Sequence, residues 1–358
     1  MNSCKDNGYK QQIGINSNST GLSYKVDSLV IHKMNSYNIP GLAIGLVAQD
    51  SIIYTKGYGL TAITNPSPVT AHSNFHTASI SKLFTAQAIM LLAERNQINL
   101  DAKLIDLAPE LEYNDKPSEN ITVRSLLNHT SGLPDVSNYH WAKNNQSAGS
   151  LSEYIQNLKL KVKTEPTTKY HYSNLGYNLL GYVIEKASGG SFEAYVKDNI
   201  LSPSRMSNSD FRYFSILDSI KTAPHSKNRL TQKIYQRKTY PYTREHSPSS
   251  TLNSSAKDLS RWMLSFLESV DTSETLAAMV ESSFASYPHI GLGFQLNSLA
   301  DKKTVGHYGG DRGYRSYLLM IPEEDLGLVL LANCDYNEDF RQEILHPIAK
   351  IMIADYQK

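Results

Sequence analysis

Cysteine is nearly missing from this sequence: Cys4, near the start, and Cys334, in an apolar run near the end, are the only two among 358 residues. Two thiols so placed exclude a disulfide framework and a cysteine-built metal cluster, and with them redox chemistry as a first expectation. The eleven histidines lack the H-E-x-x-H pattern and any Cys/His pairing at zinc spacing, so neither a metal nor a cofactor is expected. No apolar stretch reaches the roughly 18 residues that a membrane-spanning helix needs. Neither sign of charge prevails: 35 basic residues face 34 acidic ones, for a net +1, and there is no long basic run. Attraction to nucleic acid or anionic lipid has no support in that balance, and a small-molecule or peptide substrate fits better as partner. Repeats of roughly 20 to 50 residues are also absent, which removes solenoids and propellers.

What is present is enough apolar material, 40% of residues against 19% charged, for the cores of about two domains. Residues 1–20 are polar and rich in Asn, Ser and Lys, and read as a disordered tether. A cysteine followed by such a tether resembles a mature bacterial lipoprotein whose signal peptide has been removed. That reading puts a lipid anchor on Cys4 and the chain in the cell envelope or periplasm; the alternative is a cytoplasmic chain with a loose terminus. From Gly41, GLAIGLVAQ and IIYTKGYG flank Asp50-Ser51 as the two strands of a hairpin. The texture returns near the end in TVGHYGG, YRSYLLMI and LGLVLLAN, with a turn at Pro322-Glu323-Glu324-Asp325 and a helical tail from Glu338 to Tyr356. Between the two ends, helical periodicity takes over. Ile80 to Ile98 is apolar almost all round, and Leu175, Leu179, Leu180, Val183, Ile184 and Ala187 recur at helical spacing. For that second helix Asn174 is the expected cap and Gly189-Gly190 the expected stop. The stretch 202–250, rich in Ser, Pro and Tyr, suits surface loops or an excursion over a site. The expected fold is α+β, three layers α/β/α around an antiparallel sheet. Its sheet domain uses both chain ends, 21–78 and 216–358, and a mainly helical domain, 79–215, is inserted, with the active site at the junction.

Ser79-Ile80-Ser81-Lys82 opens the buried helix. Three helical residues turn the direction by about 300°, so the serine and lysine project side by side. A serine hydroxyl becomes a useful nucleophile when a neighbouring base takes its proton, and a lysine amine of lowered pKa can do that. The four-letter pattern is weak alone, arising by chance about once or twice in a chain this size. Ser254-Ser255-Ala256-Lys257 matches it too. Company in sequence order separates the two: Tyr172-Ser173-Asn174 is the only Y-x-N in a chain with 23 tyrosines, and His307-Tyr308-Gly309-Gly310 sits on a terminal strand.

S-x-x-K, Y-x-N and H-x-G in this order resemble the serine hydrolases related to class C β-lactamases and D-Ala-D-Ala peptidases. The likeness extends from IPGLAIGLVAQDSIIYTKGYG through LLNHTSGLPD to GHYGGDRGYRSYLLMIPEEDLGLVLLAN. It implies Ser79 as nucleophile, with Lys82 and Tyr172 sharing proton transfer, the tyrosine as a phenolate held by neighbouring cations. It implies Asn174 as holder of Lys82 and of the substrate amide, and the backbone N–H groups of Ser79 and Gly310 as the oxyanion hole. His307, Tyr308 and Gly309 are implied as the strand that binds substrate, and Ser254 to Lys257 merely as a helix start. His307 stands where many β-lactamases carry lysine, and Tyr308 where a small threonine is common. If charged His307 grips the substrate, activity should fall from about pH 5.5 to 7.5. Tyr308 should narrow the strand groove or add a hydroxyl to it. His129 in HTSGLPD reads as a structural hydrogen-bonder, and Arg312 and Arg315 as cations that can meet an acidic group on a substrate.

The expected activity is hydrolysis through an acyl-enzyme of a D-amino-acid peptide, in the manner of a carboxypeptidase or aminopeptidase, or of a small ester. The alternatives are a β-lactamase, which differs only in how fast water clears the intermediate, and a penicillin-binding sensor or pseudoenzyme that fails to turn over.

Overall fold

The computed structural model describes residues 21–356. Its centre is a six-stranded antiparallel sheet of β1 (Gly41–Ala48), β2 (Ser51–Gly59), β3 (Gln295–Leu299), β4 (Lys302–Asp311), β5 (Tyr314–Ile321) and β6 (Leu326–Ala332). The spatial order is β2-β1-β6-β5-β4-β3. Antiparallel strands often show alternating apolar and polar residues, yet β1 and β6 are buried along their whole length. The reason is that both faces are covered. Leu42, Ile44, Leu46, Leu328 and Leu330 point into a core with α1 (Leu22–Tyr37) and α5 (Phe340–Tyr356), while Ala43, Val47, Val329 and Leu331 point into a second core under α4 (Ala256–Thr272). Each such side chain stabilises the fold by about 1.5–3 kcal/mol relative to exposure. α4 lies so close to β1 that a Cβ on Gly45 would sit 2.2 Å from Ser260 Oγ and 2.8 Å from the Ala256 carbonyl.

Among the elements beyond the expected set, α1 and β3 build directly onto the sheet. α1 buries Val26, Val30 and Met34 and packs Leu22, Leu29 and Ile31, partly buried, beside them. A carboxylate fixes it to the sheet: Asp27 accepts from the Tyr54 and Tyr58 hydroxyls at 2.6 and 2.8 Å and from Lys56 Nζ at 2.9 Å. β3 (QLNSL) carries little β signal and forms by pairing with Lys302–Gly306.

α2 (Ser81–Glu94) and α3 (Asn174–Ser188) pack together in the stretch between the sheet-forming ends. The expected stop of α3 holds, with Gly189 left-handed at φ 71°, a conformation open to glycine at no steric cost. The expected cap does not: Ser173, one residue earlier, accepts from Gly176 N–H at 3.1 Å, which frees the Asn174 side chain for other partners. The reading of 202–250 as surface also needs correction at its end. Ser247, Pro248, Ser249 and Ser250 are buried, and a Cβ on Gly181 would lie 2.0 Å from Pro248 Cγ. Small polar side chains let this backbone enter a helix interface, and their hydrogen bonds are met internally, as by Thr85 Oγ1 on the Pro248 carbonyl at 2.7 Å.

Candidate active site

Ser79 lies in a short 3-10 turn, Ala78–Ile80, that leads into α2. Ala78 is held at φ 50°, a left-handed conformation that costs a non-glycine residue of the order of 1–3 kcal/mol and persists only where the surroundings impose it. Here they do: the Thr77 carbonyl accepts from Ser316 Oγ at 2.7 Å on β5, and Thr77 N–H reaches the Leu252 carbonyl at 2.9 Å. Backbone N–H groups of a first turn have no partner within the helix, so Ser79 N–H is free to meet an anion.

Lys82 is fully buried. Its Nζ lies 3.1 Å from Ser79 Oγ, 2.6 Å from Asn174 Oδ1 and 2.7 Å from the Ser249 carbonyl. Burial lowers its pKa to about 7, against partial support for the cation from Asp135 and Asp311. The partners then fix the direction of the lone pair. Asn174 Oδ1 and the Ser249 carbonyl only accept, so a neutral amine gives both hydrogens to them and turns its lone pair to Ser79 Oγ. Asp135 sets the amide: it accepts from Asn174 Nδ2 at 3.1 Å and from Asn174 N–H at 2.8 Å, which leaves Oδ1 toward the lysine.

Tyr172 completes the cluster, its hydroxyl 2.9 Å from Ser79 Oγ. Burial raises its pKa, against a counter-effect of the Ser79 hydrogen bond. The resting phenolate is therefore corrected to a neutral phenol that donates. His129 fixes its place: the imidazole lies tilted against the Tyr172 ring, centroids 4.4 Å apart, and its Nδ1 accepts Ser173 N–H at 3.1 Å. Burial keeps His129 well below the usual imidazole pKa, which suits the structural part expected of it.

β4 runs past this turn. A Cβ on Gly309 would lie 2.2 Å from the Thr77 carbonyl and 2.0 Å from Ser316 Oγ, so only glycine lets the strand approach the nucleophile this closely. β3 pairs with β4 only as far as Gly306, which leaves the edge beyond it open. Tyr308 N–H points outward, to Gln295 Oε1 at 3.3 Å, and by strand alternation so does Gly310 N–H.

The sequence profile of the Beta-lactamase family matches residues 26–351. The chain belongs to the beta-lactamase family. Members of this family are generally serine hydrolases. Protein flp of Staphylococcus aureus (strain MW2) is 27% identical over 322 residues, which are 86% of this chain and 62% of that protein. This chain thus spans less than two thirds of that relative's length. Penicillin-binding protein 4* of Bacillus subtilis (strain 168) is 28% identical over 324 residues, 85% of this chain and 70% of the relative. Among solved structures, an octameric penicillin-binding protein homologue from Pyrococcus abyssi superposes with a TM-score of 0.78 at 26% identity, covering 91% of this chain and 77% of its own.

In this beta-lactamase family member three expectations for side chains change. Tyr308 faces away from Ser79: its ring stacks on Tyr317 at 4.0 Å and its hydroxyl accepts from Gln342 of α5 at 2.6 Å. Alternation along β4 puts it on the face opposite His307, so it neither narrows the groove nor adds a hydroxyl to it. His307 does face the site, its ring 6.1 Å from that of Tyr172. Burial, then the nearby Lys82 charge, pushes it down to about 3. It is neutral at pH 7, with Nδ1 on the Tyr308 carbonyl at 2.6 Å and Nε2 left as an acceptor, so charged His307 does not grip substrate. Arg315 is occupied by Glu338 at 2.8 Å and by the Asp311 and Tyr314 carbonyls. Arg312 is exposed, with its guanidinium 5.0 Å over the Trp141 ring.

Ser254, the rival serine, is fully buried and bonded to Ser209 Oγ at 2.8 Å, and it is Ser255 that caps α4. Cys334 is a buried free thiol pushed up to about 12, hence inert; Cys4 lies outside the described residues. Among those residues no group of His, Cys, Asp or Glu is arranged to hold a metal ion, and no helix is long and apolar enough to cross a membrane.

Sequence reasoning missed Asp135 and Ser249. Asp135 closes the HTSGLPD loop, where its acid was visible but its partner was not. Ser249 acts through its carbonyl, which leaves no mark on a sequence. For Asp135→Asn we expect kcat to fall about tenfold, as for a lost charge-assisted hydrogen bond, and the midpoint of the kcat/KM pH profile to move down, because Asp135 raises Lys82. A profile that keeps its midpoint would remove Asp135 from the site's electrostatics.

Proposed function

We propose that this chain is a serine hydrolase that forms an acyl-enzyme on Ser79 with a D-amino-acid-containing peptide or a small ester. The reading rests on one observation: Ser79 Oγ is within hydrogen-bond distance of both Lys82 Nζ and the Tyr172 hydroxyl, at 3.1 and 2.9 Å, beside an open strand edge. Neutral Lys82 takes the Ser79 proton as Oγ bonds the substrate carbonyl carbon. The oxyanion meets the N–H groups of Ser79 and Gly310, a contribution of about 3–4 kcal/mol per donor. The C–N or C–O bond then breaks, and the leaving group takes a proton relayed through Tyr172. Water, deprotonated by the same pair, cleaves the ester and restores the serine hydroxyl.

A peptide suits the edge beyond Gly306, where it can add as one more strand. With His307 neutral, Arg312 is the cation on the rim that can hold a C-terminal carboxylate. This favours a peptidase or esterase over an efficient β-lactamase. p-Nitrophenyl esters, D-Ala-D-Ala peptides with free or amidated ends, and a chromogenic cephalosporin, assayed side by side, test it. Arg312→Gln should raise KM for the free-carboxylate peptide about tenfold and leave the amidated one unchanged; equal effects on both would remove Arg312 from recognition. Acylation without turnover of any substrate would make the chain a penicillin-binding sensor instead.

The pH dependence has a definite sign. Lys82 is depressed to about 7, so the base is protonated below that value, and kcat/KM should rise as pH climbs through it and then level off. His307→Gln should leave that midpoint in place. A fall between about pH 5.5 and 7.5, near the ordinary imidazole range, would restore the charged-histidine account.

A further inference from the structure

The near-neutral total charge hides a local imbalance. Residues 219–244 carry Lys221, Lys227, Arg229, Lys233, Arg237, Lys238 and Arg244 and no Asp or Glu. Three are engaged: Lys221 with Asp218 at 2.7 Å, Arg244 with Glu193 at 2.7 Å, and Arg237 with Ser226 Oγ at 2.9 Å and Asp335 at 3.9 Å. Lys227, Arg229, Lys233 and Lys238 have no carboxylate partner among the described residues, and the last three are exposed.

These cations surround an antiparallel hairpin in which His225, Ser226 and Lys227 pair with Gln236, Tyr235 and Ile234. Its loop is held in shape. Asn228 Oδ1 accepts from Leu230 and Thr231 N–H, both at 2.9 Å, and Gln232 Nε2 reaches the Arg229 carbonyl at 2.7 Å. The outcome of that bonding is to present Leu230 at the tip, 94% exposed, between Arg229 and Lys233, with Tyr235 behind it at 44%. Folding gains nothing from a leucine so placed. An apolar tip backed by free cations is the arrangement that enters the headgroup region of a negatively charged bilayer.

We propose that the 225–236 hairpin docks this protein peripherally on an anionic lipid surface, with Leu230 entering the headgroup–acyl boundary and Lys227, Arg229, Lys233 and Lys238 meeting headgroup phosphates. A soluble polyanion would use the cations but has nothing to offer Leu230, which favours lipid. The hairpin adjoins the β4–β5 turn, where His225 N–H meets the Gly313 carbonyl at 3.4 Å and Gly313 leaves room for Pro224. Docking therefore holds the Arg312 rim of the site near the bilayer.

Cosedimentation of the purified, unacylated chain with phosphatidylcholine vesicles, with and without about 30% phosphatidylglycerol, tests this. Wild type should partition onto the anionic vesicles at least about tenfold more strongly. Leu230→Ser should weaken that binding about tenfold, and Arg229→Glu/Lys233→Glu at least about 100-fold. Both variants should keep the wild-type rate of penicillin labelling, which verifies their fold. Equal binding to both vesicle types, or none, would overturn the proposal. So would an unchanged Leu230→Ser partition with competition by soluble polyphosphate, which would assign the patch to a polyanion.

Discussion

Lys82→Met is expected to lower kcat by about a thousandfold or more, and the Ser79→Ala/Lys82→Met double variant to be no slower than either single one. Methionine keeps the length and the apolar stem but has no lone pair able to take a proton from Ser79 Oγ 3.1 Å away. A serine without a base and a base without a serine fail at the same step, so the losses should not add. Single-turnover kinetics on a p-nitrophenyl ester measures this. Additive losses would mean that Lys82 holds the site together rather than moving the proton.

Gly309→Ala should cost kcat about 100- to 1000-fold, comparable to loss of an oxyanion donor. The added methyl would meet the Thr77 carbonyl at 2.2 Å and Ser316 Oγ at 2.0 Å. Both belong to the scaffold that pins the nucleophile turn, so the strand must withdraw and take Gly310 N–H with it. Overpacking of this kind costs about 1–3 kcal/mol of stability, and thermal melting should report it. Gly310→Ala is the control. Its nearest contact is the end of a flexible side chain, Arg315 Nη1, at 3.3 Å, so activity should fall far less. Equal losses in the two variants would refute the argument from close approach.

The strands were legible where physics acts locally. β1 and β6 are aliphatic runs and β5 joins two tyrosines to an aliphatic run, all bounded by turn formers, and covering both faces of β1 and β6 only made their signal stronger. α1 and β3 were not, because the six aliphatic residues of α1 are interleaved with polar ones and settle on a side only by packing, and a QLNSL strand forms only through what it pairs with. Ser79, Lys82 and Tyr172 were legible as motifs, and the structure brings them together. Their protonation states were not, since burial decides them: Tyr172 stays a phenol and His307 stays neutral. Tyr308 shows the limit of reading a motif by position, for a strand sends neighbouring side chains to opposite faces.

Intact-mass analysis after incubation with a labelled penicillin or a fluorophosphonate, followed by peptide mapping, bears most directly on Ser79 as the nucleophile. One covalent adduct should appear, on the peptide containing Ser79, and Ser79→Ala should carry none. An adduct that persists in Ser79→Ala, or that maps to Ser254, would contradict the account.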